Sequence, residues 1–144
     1  MFRIRPYADG DEDTVIALWR ECDLTRPWND PRKDIQRKLA VQPDLFLVGE
    51  RNGEIVATVM VGYEGHRGWI NYLAVRPDFR RHGYGRRMME EAERLLIARG
   101  APKINLQVRA TNTDVIAFYK SMGYAVEDVV NLGKRLVNDA SAAT

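Results

Sequence analysis

The order of apolar and polar positions along the chain predicts a mixed α/β protein. Phe2 to Tyr7 alternates apolar and basic residues with the period of a strand. Asp11, Asp13 or Thr14 is placed to cap a helix on which Val15, Leu18, Trp19 and Cys22 share one face. Asp23 to Pro31 holds two prolines and several turn formers and reads as a loop, and a second helix is expected from Arg32 to Val41. Three strands follow at Leu45 to Arg51, Glu54 to Tyr63 and Trp69 to Val75. Asn52-Gly53, a strong hairpin signal, joins the first two. The period then changes: Met88, Met89, Ala92, Leu95 and Leu96 form one helical stripe, and Gly100 stands where a helix stops. Ile104, Leu106 and Val108 alternate with Asn105, Gln107 and Arg109 as a strand. Thr111 to Asp114 opens a last helix with Val115, Phe118, Tyr119 and Met122 on one face, ended by Gly123. Tyr124 to Val130 and Asn131 to Val137 are expected as closing strands. The strand–helix–strand unit from Trp69 to Arg109 should make its two strands parallel neighbours with a right-handed crossover.

Length and composition narrow the class. The chain has 144 residues, 45% hydrophobic and 29% charged, which fits one domain; residues 1–138 are expected to form it and 139–144 to be a frayed tail. The formal net charge is only +2, a poor fit to a general nucleic-acid binder. A single cysteine excludes an intrachain disulfide framework and a multi-cysteine metal site. His66 and His82 stand on separate loops, so no metal is expected. The N-terminus lacks an apolar signal segment and no apolar run is long enough to span a bilayer. A soluble, cytoplasmic domain that does not engage a membrane is therefore expected.

One segment stands out chemically. From Arg76 to Arg87 five arginines face a single aspartate, although the whole chain is nearly balanced. Within it Arg80, Arg81, His82, Gly83, Tyr84, Gly85 and Arg86 join a strand to the start of a helix. Two glycines clear the backbone there, so the amides of 81–86 can converge on one point. A helix N-terminus with free N–H groups is an anion site, and phosphate or pyrophosphate is the chemistry it suggests. The segment lacks the Gly-Lys-Ser/Thr of a Walker loop, and Met88 stands where the dinucleotide fingerprint needs its third glycine. The bland alternative is a tight turn with solvated arginines.

Further along stand Val108-Arg109-x-x-Asn112 and Ala117-Phe118-Tyr119-x-x-x-Gly123-Tyr124. With Arg80-x-x-Gly83-x-Gly85 after Tyr72-Leu73-Ala74-Val75, this combination resembles the GNAT superfamily of acetyl-CoA-dependent N-acetyltransferases over nearly the whole chain. Within that superfamily, the loops at Arg26 to Pro31, Gly65 to Gly68 and Leu132 to Leu136 are similar to the YpeA group of small bacterial acetyltransferases. The resemblance implies a GNAT fold: a mixed, mainly antiparallel sheet flanked by about four helices, with a V-shaped opening between its central parallel strands. It implies that the pantetheine arm of acetyl-CoA pairs with the backbone of Leu73, Ala74 and Val75. It further implies that the pyrophosphate rests on Arg81 to Arg86 and that Asn112 contacts the pantetheine. Tyr119 would lie near the sulfur as general acid for the departing thiolate; the plain reading of Tyr119 is a core aromatic.

The implied activity is transfer of an acetyl group to a primary amine by direct attack in a ternary complex, by a monomer or homodimer. The amine could belong to a small molecule, a peptide or a protein. Relatives that acetylate ribosomal-protein N-termini carry Leu-Glu-Val-Arg where this chain has Leu106-Gln107-Val108-Arg109, and Gln107 cannot take a proton. Glu64, His66 and Asp30 are other candidate bases, although Asp30 also suits the cap of the second helix. Trp28 and Asn29, on the loop expected to border the acceptor, are substrate-side candidates together with His66, Asn71 and Gln107. Asn71 and Tyr72 stand beside the expected acetyl position, and one of them should face the cleft. Cys22 reads as a packed thiol. Two other functions compete: a non-catalytic acyl-CoA-binding sensor, and a nucleic-acid domain using the arginine segment, which would bind with strong salt dependence.

Overall fold

The computed structural model describes residues 1–140. Its elements are β1 (Phe2–Pro6), α1 (Glu12–Glu21), α2 (Pro31–Val41), β2 (Phe46–Arg51), β3 (Glu54–Tyr63), β4 (Gly68–Val75), α3 (Tyr84–Ala98), β5 (Ile104–Leu106) and α4 (Thr113–Ser121). The strands form a single sheet in chain order. The first four are antiparallel, and β5 returns parallel to β4 after the α3 crossover. This is the α/β arrangement expected from the strand–helix–strand pattern.

Helices cover both faces of the sheet. On one face Val15, Ile16, Leu18 and Trp19 of α1 and Ile35 of α2 bury against Phe46, Val48, Met60 and Ala74. On the other, Met88, Met89, Ala92 and Leu96 of α3, with Tyr119 of α4, cover Leu47, Val56, Val59, Val61 and Ile70. Burial of each large side chain contributes about 1.5–3 kcal/mol, so β2 and β3, buried along most of their length, are the centre of the core.

Three local readings need correction. Asp11 does not cap α1: its carboxylate accepts Arg5 Nη1 at 2.7 Å and the Ala8 amide at 2.9 Å, while the α1 N-terminus has no side-chain cap. Tyr124 to Val137 forms no strand. With β5 only three residues long, the segment is held beside it by side chains instead of a backbone ladder. Lys103 and Asn105 bond Glu127, and Gln107 bonds Asn131. Finally, Asp139 is buried and not part of a frayed end; residues 141–144 lie outside the described residues.

Candidate functional site

The site begins with an irregularity in β4. Thr58 pairs with Ala74 and Met60 with Asn71, so Val59 alone faces both Tyr72 and Leu73, a β-bulge. Tyr72 adopts φ +52°, a conformation costing about 1–3 kcal/mol for a non-glycine residue unless its surroundings hold it. Its ring stacks on Trp19 with centroids 3.8 Å apart. Its carbonyl accepts the Thr58 hydroxyl at 2.9 Å, and Thr58 in turn accepts Trp19 Nε1 at 2.9 Å. Its own hydroxyl donates to Asp34 at 2.7 Å. Burial, with the Asp34 carboxylate second, holds the Tyr72 phenol well above its ordinary pKa.

Just before the bulge the sheet opens. β5 pairs with β4 only across Gly68 to Ile70, so from Asn71 to Val75 this edge of β4 has no strand partner among the described residues. Leu73 and Val75 turn toward the α3 layer, and Ala74 and Tyr72 toward the α1–α2 layer. Asn71 is exposed, so of the two neighbours it is Asn71 that is free at the surface.

After β4, Gly83 takes φ +78° as the residue preceding α3, and Arg81 also turns left-handed at φ +68°. None of the amides of residues 81–86 donates a hydrogen bond to a described residue. Gly85 brings the helix close to α4: a Cβ there would lie 3.4 Å from the Phe118 ring. Tyr84 stacks on Phe2 at 4.1 Å, with His82 against it, which fixes the first turn. The arginines divide into two sets. Arg76 is bound to Asp78 and Glu54 and lies over Phe79; Arg87 lies over Phe2; Arg86 reaches Ser121. Arg80 and Arg81 are exposed and make no ion pair among the described residues. Among the described residues the Arg80 guanidinium hydrogen-bonds only the Cys22 sulfur, at 3.9 Å. Cys22 is half-buried and donates to the Val75 carbonyl, with burial pushing its thiol pKa up, as suits a packed thiol.

Tyr119 is buried between Phe118 and Tyr124, and no described residue hydrogen-bonds its hydroxyl. Burial pushes its pKa up to about 12, so it keeps its proton at neutral pH. It lines a cleft of about 1440 Å³ that also touches Gln107 and Asn131. Asn112, exposed, precedes α4 without capping it through its side chain. Gln107 is exposed and engaged with Asn131.

The candidate bases fare differently. Asp30 caps α2, accepting the Arg32 amide at 2.9 Å. Glu64 accepts the amides of Arg67 and His66, which hold its carboxyl below the usual range. His66 is exposed on that same β3–β4 turn, roughly 15–20 Å along β4 from Tyr72 at about 3.3 Å per residue, so the structure does not bring it to the bulge. Trp28 is exposed beneath the Arg135 guanidinium, which also donates to the Asn29 side chain at 2.9 Å. Both therefore face the C-terminal segment. Sequence reasoning missed Trp19, Thr58, Asp34, Arg37 and Asp139 as partners of the site. A tyrosine in a left-handed bulge leaves no local pattern, and the others are read by periodicity as ordinary core or surface residues.

Comparison with known proteins places the fold in a family. Residues 14–124 match the model of the acetyltransferase (GNAT) family. A curated acetyltransferase of Pectobacterium atrosepticum is 54% identical over 136 residues, covering 94% of this chain and 96% of the relative. Among solved structures, Ard1 from Thermoplasma volcanium superposes with TM-score 0.77 at 25% identity, covering 88% of this chain and 84% of that one. PaiA N-acetyltransferase from Thermoplasma acidophilum, solved with coenzyme A, gives 0.78 at 19% identity, covering 90% and 93%.

Proposed function

Because the chain belongs to the acetyltransferase (GNAT) family, we propose that it moves an acetyl group from acetyl-CoA to a primary amine by direct attack in a ternary complex. The observation that carries this reading is the run of free amides at residues 81–86, opening onto the unpaired edge of β4. Such a run, with a left-handed Gly83 and two unpaired arginines, fits a pyrophosphate. The open edge of Leu73 to Val75 fits an extended amide-bearing arm that adds to the sheet like a strand.

Bound acetyl-CoA supplies the acyl group as an activated thioester. The residues of the chain then have separate tasks. Arg80, Arg81 and the amides of His82, Gly83, Tyr84, Gly85 and Arg86 hold the pyrophosphate. The backbone at the bulge donates to the acyl oxygen, where charge develops as the amine attacks. Asn112 borders the arm. As the C–N bond forms and the C–S bond breaks, the Tyr119 hydroxyl gives its proton to sulfur. The amine loses its own proton to solvent, since Gln107 cannot accept it, and solvent returns a proton to Tyr119. The acceptor is a small-molecule, peptide or protein amine. It enters beside the loop of Trp28 and Asn29, and Asn71 stands at the surface next to it.

Gln107 favours a second reading, an acyl-CoA-binding sensor without turnover. Calorimetric titration with acetyl-CoA, against CoA and ATP, tests the shared premise. Micromolar binding of acetyl-CoA that is lost in a Gly83 variant is expected. Folded protein that binds neither CoA species would overturn the reading. Thiol release in the presence of amines then separates enzyme from sensor.

A further inference from the structure

The hydroxyl of Tyr72 starts a chain of polar contacts that runs out of the core to Asp139. Asp34 accepts Tyr72 on Oδ2 and Arg37 Nη1 on Oδ1, the latter at 2.9 Å. Arg37 reaches Asp139 with both terminal nitrogens, at 2.7 and 3.2 Å. The Asp139 side chain, only 2% exposed, also accepts the Asp30 amide at 2.6 Å, and its own amide donates to the Trp28 carbonyl at 3.1 Å. Residues over a hundred positions apart are thus closed onto the loop before α2 and onto the bulge of β4. The other holds on Tyr72, the Trp19 stack and the Thr58 hydroxyl, lie within the core.

We propose that Asp34, Arg37 and Asp139 form a clasp that positions Tyr72 in its left-handed conformation and thereby sets the β4 backbone that addresses the acyl oxygen. These are positioning residues: none touches the path expected for acetyl-CoA, and all act through Tyr72. The proposal rests on the acetyl-transfer reading above. The pyrophosphate end is independent of the clasp, since residues 81–86 share no contact with it. Breaking the clasp therefore changes polarisation of the acyl group and leaves acetyl-CoA affinity in place.

The test is carbon-13 NMR of acetyl-CoA labelled at the acetyl carbonyl, bound to the full chain. In the wild-type protein a donor at the bulge moves the bound carbonyl resonance downfield of the free thioester. Asp34→Ala and Asp139→Ala are expected to move it back toward the free value, with affinity by calorimetry changed less than about threefold, as for sites without shared partners. Tyr72→Phe removes the hydroxyl alone, keeps the ring on Trp19, and should give the same shift if an aspartate variant fails to fold. Asp139→Glu should restore part of the wild-type position. A merely structural role would lower the melting temperature and leave the resonance unmoved. Folded variants that bind acetyl-CoA with a wild-type resonance overturn the clasp alone. A wild-type protein that does not bind acetyl-CoA overturns the acetyl-transfer reading, and the clasp with it.

Discussion

Beyond the C-terminal end of β4 the chain leaves its donors free, whereas in the middle of that strand the side chain and carbonyl of Tyr72 are fully engaged. The amides of residues 81–86 and the guanidinium groups of Arg80 and Arg81 make no hydrogen bond or ion pair strong enough to compete with an incoming anion. Tyr72, eight residues before Arg80, has its ring, carbonyl and hydroxyl all engaged. Among the described residues every side-chain polar atom fully shut off from solvent has a partner. The difference separates two tasks. A surface that binds keeps unsatisfied donors turned outward. A backbone that must hold an unusual conformation saturates every group that could relax it.

Substitutions that remove one task without the other test this division. The largest effect is expected from Tyr119→Phe. Loss of the only proton donor assigned to the leaving sulfur should lower kcat about 100-fold, with acetyl-CoA affinity unchanged, in steady-state thiol release. Because burial raises the Tyr119 pKa to about 12, no alkaline fall in rate below that pH should come from its ionisation. Gly83→Val comes next. A β-branched residue at φ +78° is strained by about 1–3 kcal/mol although the space around it is open, so affinity for acetyl-CoA should fall roughly 10- to 100-fold by calorimetry. Arg81→Ala, which removes a free charge, should weaken binding by about fivefold, more at low salt than at high. Arg76→Ala, which removes a charge already satisfied by Asp78 and Glu54, should leave affinity alone and affect the melting temperature instead.

The smallest effect is on pH dependence. Arg37, followed by the Asp30 amide, holds the Asp139 carboxyl down to about 2. A carboxyl lowered in the folded state adds stability above its unfolded pKa of about 4 and loses it as pH falls toward 2. Exchange protection of the Asp30 amide should therefore persist at neutral pH and disappear across that acid window. In Asp139→Asn it should already be reduced at pH 7.

Much of this was legible in the sequence. The Asn52-Gly53 turn has both residues left-handed, at φ +53° and +82°, as the hairpin signal requires. The stripe Met88, Met89, Ala92 and Leu96 is the buried face of α3, and Gly100 ends that helix region at φ +83°. The glycine–arginine segment falls between β4 and α3 as its pattern demands. Legibility failed where partners are distant in sequence. Tyr124 to Val137 is rich in Tyr, Val and Leu, yet composition says nothing about the length of the edge available, and β5 offers three residues. Asp139 looks like tail because its small polar neighbours do; its burial depends on Arg37, which only folding supplies. The arginine count in the loop overstated the free charge, since Asp78 and Glu54 neutralise Arg76.

Thiol release tests acyl transfer to an amine most directly. Purified protein would be given acetyl-CoA with a panel of primary amines: amino acids, polyamines, peptides with free N-termini and aminoglycosides. Free thiol would be followed continuously. The predicted result is release that requires an amine, saturates with acetyl-CoA and collapses in Tyr119→Phe. Binding of acetyl-CoA with no amine-dependent release from any of them would contradict it.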